Sequence, residues 1–409
     1  MSEPEIPRDA YAALRHGEFR WFMAATLVLS MAMQMQSVIM GWQVYEITRD
    51  PLSLGFVGLA EALPFLATTL IGGHAADLRD RRLLCLVSEL ALLGGASVLL
   101  LLNLHGAPSQ AWPFYVVQAV AGLGRAFYRP AAQALAAEIV PREIYANAAA
   151  WRSSVFHAAM VLGPALGGLI YGFGSARAAY AVEAFLLLSG LAATFALAPR
   201  PRPAHHIEQG PGFFDGVRFV FHQKLVLGAL TLDLFAVLFG GAPALLPIFA
   251  DQILKVGPQG LGILRAAPAV GSVAMSFALA HLPELKRAGR TLLLCVGAFG
   301  LCWVAFAFSK SFWLSLALLA LSGALDDVSV VIRSTLVQTL TPPHLMGRVS
   351  AVNAFFIGSS NELGAFESGL AARLLGLVPS VVAGGLMTLG VVGAMAWRMP
   401  DLRRLKRLG

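Results

Sequence analysis

From Trp21 onward the chain is a succession of apolar runs, each closed by proline, glycine or a cluster of charges. A helix of about 20 apolar residues, rising about 1.5 Å per residue, crosses the roughly 30 Å hydrocarbon core of a bilayer. Twelve such runs are legible, near 21–46, 52–75, 83–104, 112–138, 153–174, 177–198, 225–250, 260–282, 290–308, 312–340, 349–374 and 379–397. Only 13% of the residues are charged and 57% are hydrophobic, too little polar surface to clothe a water-soluble chain of 409 residues. The expected fold class is an all-α membrane protein of twelve transmembrane helices.

The chain also repeats itself. Trp112 to Leu169 matches Trp313 to Leu370 without a gap, pairing Gly122 with Gly323, Pro141 with Pro342, Gly163 with Gly364 and Gly168 with Gly369. Internal repeats of this length are what two-bundle transporters are built from. The sequence therefore divides into an N-terminal segment (1–20), a first six-helix bundle (21–198), a linker (199–224), a second bundle (225–397) and a basic tail (398–409). The two bundles are expected to be pseudo-symmetric. The linker carries Pro201, Pro203, Pro211 and the pair His205 and His206, read as solvated because no second ligand pair lies near, with a surface helix expected near Phe213 to Phe221.

Lysine and arginine set the orientation. With the N-terminus inside, inner loops hold clusters such as Arg79, Arg81 and Arg82, whereas outer loops hold only Arg49, Arg177, Lys255, Lys310 and Arg373. That asymmetry predicts a multi-pass protein with both termini in the cytoplasm. The net charge of +7 follows this loop pattern and not a basic face, so nucleic acid is excluded as a partner. Cys85, Cys295 and Cys302 match no metal or disulfide spacing and read as packing residues. Residues 1–20 mix acids with arginines and show no cleavage site after an apolar core, so no removable signal peptide is expected.

The loop between spans 2 and 3 reads Gly72-Gly73-His74-Ala75-Ala76-Asp77-Leu78-Arg79-Asp80-Arg81-Arg82. Small residues permit a tight turn, Asp77 can sit against a helix N-terminus, and the arginines can pair with carboxylates or anionic lipid. A weaker counterpart, Pro283-Glu284-Leu285-Lys286-Arg287, occupies the matching place in the second half. With Gly73, Asp77, Arg81 and Arg82 in position, the loop resembles the signature of the major facilitator superfamily; Ala75, Leu78 and Asp80 depart from it. Gly163, Pro164, Gly167 and Gly168 on span 5 resemble the core of that superfamily's antiporter motif, with Ala159 where a further glycine is expected. Thr341 to Asn353 followed by Gly358 to Gly364 resembles the branch that holds the enterobactin exporter and macrolide efflux proteins. The resemblance implies export of a bulky organic solute, a siderophore or lipophilic drug, driven by protons across the bacterial inner membrane.

Charges inside spans carry the mechanistic expectation. A charge at the bilayer centre costs about 2.5 kcal/mol or more, so one that persists faces a partner or a cavity. The repeat places Arg125 on Asp326, with Asp327 adjacent, and a slightly different offset places Glu61 to Pro64 on Arg265 to Pro268. Arg125 is thus expected to meet Asp326 or Asp327 across a central cavity, or else each charge pairs within its own bundle. Glu61 and Arg265 are expected in an outer charge network. Asp233, Asp326, Asp327 and Glu61 are candidates to carry a proton; Glu89, Glu183, Glu362 and Glu367 rank below them. Met31, Met33, Met35 and Met40 on span 1 suggest either an adaptable ligand surface or plain packing.

The expected function is secondary active transport by alternating access, with protons, a small organic substrate and the lipid bilayer as partners, as a monomer. Import of a nutrient with protons is the alternative within the class. No phosphate loop, zinc-protease helix or nucleophile elbow is present, so an enzyme or sensor ranks lower, and no cofactor is expected.

Overall fold

The structure is a computed structural model describing residues 9–106, 108–199, 213–240, 243–282, 287–342 and 345–405. The histidine pair of the linker and the acid and base of the loop after span 8, Glu284 and Lys286, lie outside the described residues.

The first half consists of α1 (Gly17–Thr48), α2 (Pro51–Leu78), α3 (Arg81–Leu104), α4 (Trp112–Ile139), α5 (Tyr145–Phe173) and α6 (Ala176–Phe195). A short amphipathic helix, α7 (Phe213–His222), leads into the second half: α8 (Lys224–Gly240), α9 (Leu246–Ile248), α10 (Gly257–His281), α11 (Ala288–Phe308), α12 (Phe312–Leu340), α13 (Met346–Leu375) and α14 (Leu377–Arg398). A last short helix, α15 (Pro400–Arg404), follows. No strand occurs among the described residues.

Two spans differ from the sequence reading. Span 5 starts at Tyr145 and not near 153, because an Ala-rich turn precedes the apolar run and docks the N-terminal segment: Asn147 accepts from Ala13 N at 2.9 Å and Trp151 Nε1 donates to Ala10 O at 3.0 Å. Span 7 departs from regular α-helix in its second part, which from Pro243 is wound as a 3-10 turn at Pro243–Leu245, α9, and a π turn at Phe249–Ile253. Pro243 and Pro247 lack the amide hydrogens a continuous helix would use.

Helix starts are specified locally. Asp50 accepts from Leu52 N at 3.1 Å with Pro51 in the first turn of α2, and Asp80 caps α3 by accepting from Arg82 N at 2.9 Å and Leu83 N at 3.2 Å.

Helices in lipid gain little from hydrophobic burial against one another, so small residues that permit close approach decide which faces meet. Gly163 of α5 rests on α1, where an added Cβ would lie 2.7 Å from Gln34 Cβ, and Gly364 of α13 rests on α8, 3.0 Å from Leu238 O. Between the halves, Gly262 of α10 faces Pro164 O of α5 at 2.5 Å, and Gly58 of α2 faces Ala365 Cβ of α13 at 2.8 Å. These two contacts exchange under the repeat, which maps Pro164 onto Ala365 by the offset that pairs Trp112 with Trp313, and Gly58 onto Gly262 by the slightly different one that pairs Glu61 with Arg265. The duplication in the sequence is a pseudo-two-fold in space.

Both described ends of the chain lie on one face of the molecule, here the terminal face. One apolar core bridges the halves at the opposite, far face, joining Met35, Met40 and Tyr45 to Leu246, Phe249 and Phe306. The cores nearer the terminal face each draw on a single half, as with Phe19, Phe22 and Leu135 in the first and Leu292, Leu336 and Leu402 in the second. Ion pairs Arg49–Asp251 (2.5 Å) and Arg373–Asp50 (3.2 Å) and the bond from Gln252 Nε2 to Tyr45 Oη (2.6 Å) also cross between halves at the far face. The halves are thus locked together at the far face and part toward the terminal face.

Candidate functional site

Where the closed far-face interface ends, near the middle of the long helices, ionisable side chains from both halves gather. Glu61 of α2 forms an ion pair with Arg125 Nη1 of α4 and accepts a second bond from Gln118 Nε2 at 2.5 Å. Both oxygens of Glu61 are therefore engaged inside the first half. Glu362 of α13 reaches across from the second half: its Oε2 lies 3.7 Å from where a Gly58 Cβ would stand, one turn from Glu61. It interacts electrostatically with Glu61, Arg125, Arg129 and Arg265. The Arg129 guanidinium lies 5.5 Å from the Phe65 ring centroid and is solvent-accessible, whereas Arg265 of α10 is half-buried with its Nε buried and unpartnered.

A second group lies wholly in the second half. Arg333 of α12 and Asp233 of α8 form an ion pair, and both are buried. Asp326 interacts electrostatically with Asp233, Arg333 and Asp327, and Asp327 accepts from Ser276 Oγ of α10 at 2.7 Å. A cavity of about 10 Å³, room for about one water molecule, lies between Asp233, Asp326 and Ser329. Asp233 and Asp326 share one guanidinium, and Asp327 stands beside them.

The loop between α2 and α3 is tied down by its arginines. Arg81 pairs with Glu138 of α4 and donates Nε to Ala76 O at 3.1 Å; Arg82 Nη2 donates to Phe195 O at 2.6 Å. The side chain of Asp77 lies outside the described residues, and the cap of α3 is provided by Asp80. Gly73 has open space where a side chain would stand. Gly163, Pro164, Gly167 and Gly168 line the face of α5 that meets α1 and α10.

The expected bond between Arg125 and Asp326 or Asp327 does not form. Arg125 stays with Glu61 because Gly122 lets α4 lie directly on the α2 backbone at Glu61, and Asp327 is held by Ser276 through the equivalent packing of α12 on α10. Glu61 and Arg265 share a charge network through Glu362, which the sequence ranked lower. The clue was present: Gly358-Ser359-Ser360-Asn361-Glu362 is a polar run in the middle of an apolar span. Arg333 pairs with Asp233 inside the second half, the within-bundle arrangement that is the other expectation. Of the span 1 methionines, Met35 and Met40 are buried in the inter-half core and serve packing.

Twelve long helices in two pseudo-symmetric halves, closed at one face around a shared set of charges, define a major facilitator transporter. The model of the transmembrane secretion effector family matches residues 8–407, and the chain belongs to that family. Its members are transporters and not enzymes. The chain is 27% identical over 381 residues to the multidrug efflux pump Tap of Mycolicibacterium fortuitum, covering 89% of this chain and 91% of that protein. It is 25% identical over 398 residues to the enterobactin exporter EntS of Escherichia coli O1:K1, covering 96% and 94%. Among solved structures, a bacterial homologue of the human lysosomal transporter Spinster, inward-facing and unoccupied, superposes with a TM-score of 0.74 at 16% identity, covering 95% of this chain and 98% of that one. The nucleoside transporter NupG gives 0.72 at 12%, covering 94% and 100%.

Proposed function

We propose that the protein exports a bulky organic solute, a siderophore or lipophilic drug, in exchange for protons, by alternating access between the two faces. The observation that carries this reading is the location of the charge cluster: it sits between the halves, at the inner limit of a closed far-face interface. The efflux and siderophore-export activities named for Tap and EntS support the direction of transport. With the positive loops inside, the terminal face is cytoplasmic, and the conformation described is the one that loads cargo from the cytoplasm.

The two charged groups divide the work. Glu61, Arg125 and Arg265 line the cargo site with Glu362. Asp233, Asp326 and Asp327 carry the proton, being carboxylates gathered beside Arg333 and a water-sized cavity within the span region. The loop of Gly73, Asp77, Arg81 and Arg82 and the α5 residues Gly163, Pro164, Gly167 and Gly168 guide the rocking of the halves.

The test is proton movement in inside-out vesicles followed with a pH-sensitive dye while catecholate siderophores, macrolides and lipophilic cations are added singly. A compound that dissipates the gradient only with the protein present, and not with Asp233→Asn or Asp326→Asn at equal expression, supports antiport. Uptake of a solute into right-side-out cells, with no compound moving protons in the vesicles, would favour proton-coupled import in its place.

A further inference from the structure

The charges at the inter-half site do not balance. Facing it are the carboxylates Glu61 on α2 and Glu362 on α13, and the guanidiniums Arg125 and Arg129 on α4 and Arg265 on α10. Glu61 is consumed by Arg125 and Gln118, which leaves Glu362 as the single carboxylate near Arg129 and Arg265. Among the described residues, no carboxylate lies within ion-pair distance of either of those two arginines. Arg265 Nε is a buried donor with no acceptor, as is Arg125 Nε. Unpaired guanidiniums at this depth are costly, and buried donors without acceptors add to that cost. Arg129, by contrast with the buried Arg333 of the second half, keeps exposed surface beside Glu362 of the opposite half.

We infer that the cargo is an organic anion, whose carboxylate, sulfonate, phosphate or catecholate oxygens sit on Arg129 and Arg265 opposite Glu362. This deepens the transport reading above and rests on it for the word cargo. Guanidiniums suit such groups because their fork of N–H donors matches paired oxygens. Phe65, already stacked against Arg129, provides an apolar surface for the body of the molecule. Glu362 serves as the internal counter-anion that the cargo displaces. A cationic cargo would need an exposed carboxylate free of arginine, and Glu61 and Glu362 both stand among guanidiniums.

The experiment is equilibrium binding of two xanthene dyes of similar size and opposite charge, carboxyfluorescein and rhodamine 6G, to the full chain in phosphatidylcholine nanodiscs, read by anisotropy. Carboxyfluorescein is expected to bind, with affinity about tenfold lower in Arg265→Gln and in Arg129→Gln, restored only in part by Arg265→Lys, and higher in Glu362→Gln. Rhodamine binding that is stronger than carboxyfluorescein binding and abolished by Glu362→Gln overturns the inference. Binding of neither dye by protein with an unchanged melting transition does so as well. Replacing phosphatidylcholine with phosphatidylglycerol is expected to change the affinity by less than about twofold; a tenfold loss would put a lipid headgroup on the arginines and overturn the cargo assignment. The outcomes separate from those of the vesicle assay: cation-selective binding leaves export standing, and absence of proton flux leaves anion binding standing.

Discussion

Arg49, the left-handed residue that closes α1 with φ 52°, forms an ion pair with Asp251 of the other half at 2.5 Å, while its neighbour Asp50 pairs with Arg373 at 3.2 Å. Consecutive residues thus clasp two separate helices of the opposite half. The pairs are substantially exposed, so each contributes about 0.2–1 kcal/mol. Asp251→Ala should raise the population with an open far face by up to about fivefold, and exchanging the charges as Arg49→Asp with Asp251→Arg should restore it. Distance distributions between spin labels on the two halves at the far face check this; unchanged distributions in both variants would remove the clasp from the gate.

The buried pair of Asp233 and Arg333 behaves differently. Removing one member strands a charge in the interior, which costs about 3–5 kcal/mol. Asp233→Ala and Arg333→Ala should each lower the melting temperature in detergent sharply. The double replacement should be clearly less damaging than the sum of the two, and strict additivity would show that the residues do not depend on each other.

Pairing within the first half is tested by charge reversal. Arg125→Glu should unsettle the protein, and Glu61→Arg in the same chain should recover expression and monodispersity on gel filtration. Asp326→Arg should give no recovery. Rescue by the Asp326 variant would mean that Arg125 moves to the second half in another conformation.

Close approach of α5 and α10 sets the fourth expectation. An alanine at Gly168 would place its Cβ 2.7 Å from Gly262 Cα, so the helices must separate, whereas Gly73 has no neighbour within 4 Å. Gly168→Ala should increase labelling of a far-face cysteine at position 255 by a membrane-impermeant maleimide. Gly73→Ala should leave it unchanged.

Much of the architecture was legible in the chain because membrane helices announce themselves by length and apolarity. Charges blur that announcement: of the long helices, α4 and α13 fall short of an apolar span by composition alone, being the ones that carry Arg125 and Arg129, and Glu362 and Glu367. The irregular winding of span 7 from Pro243 onward is foreshadowed by Pro243 and Pro247, yet a run so apolar reads as regular helix. Pairing was the harder matter. Sequence equivalence put Arg125 and Asp326 at corresponding places in the two halves, and correspondence under a pseudo-two-fold does not mean contact. Each residue follows the glycine beside it, Gly122 and Gly323, onto the second helix of its own half. Glu362 ranks low in the sequence because a carboxylate on span 11 gives no hint of its depth until Gly58 shows how closely α2 and α13 meet.

The exchange of Gly58–Ala365 for Gly262–Pro164 means that each half offers its neighbour the same two surfaces that it receives. Such a contact is isologous, the kind made by two identical subunits about a two-fold axis. A six-helix half is thereby self-complementary along this seam. Residues 9–199 produced alone would carry both sides of this glycine contact but not the second-half members of the far-face ion pairs, and the two halves expressed as separate polypeptides would have a ready route to reassemble.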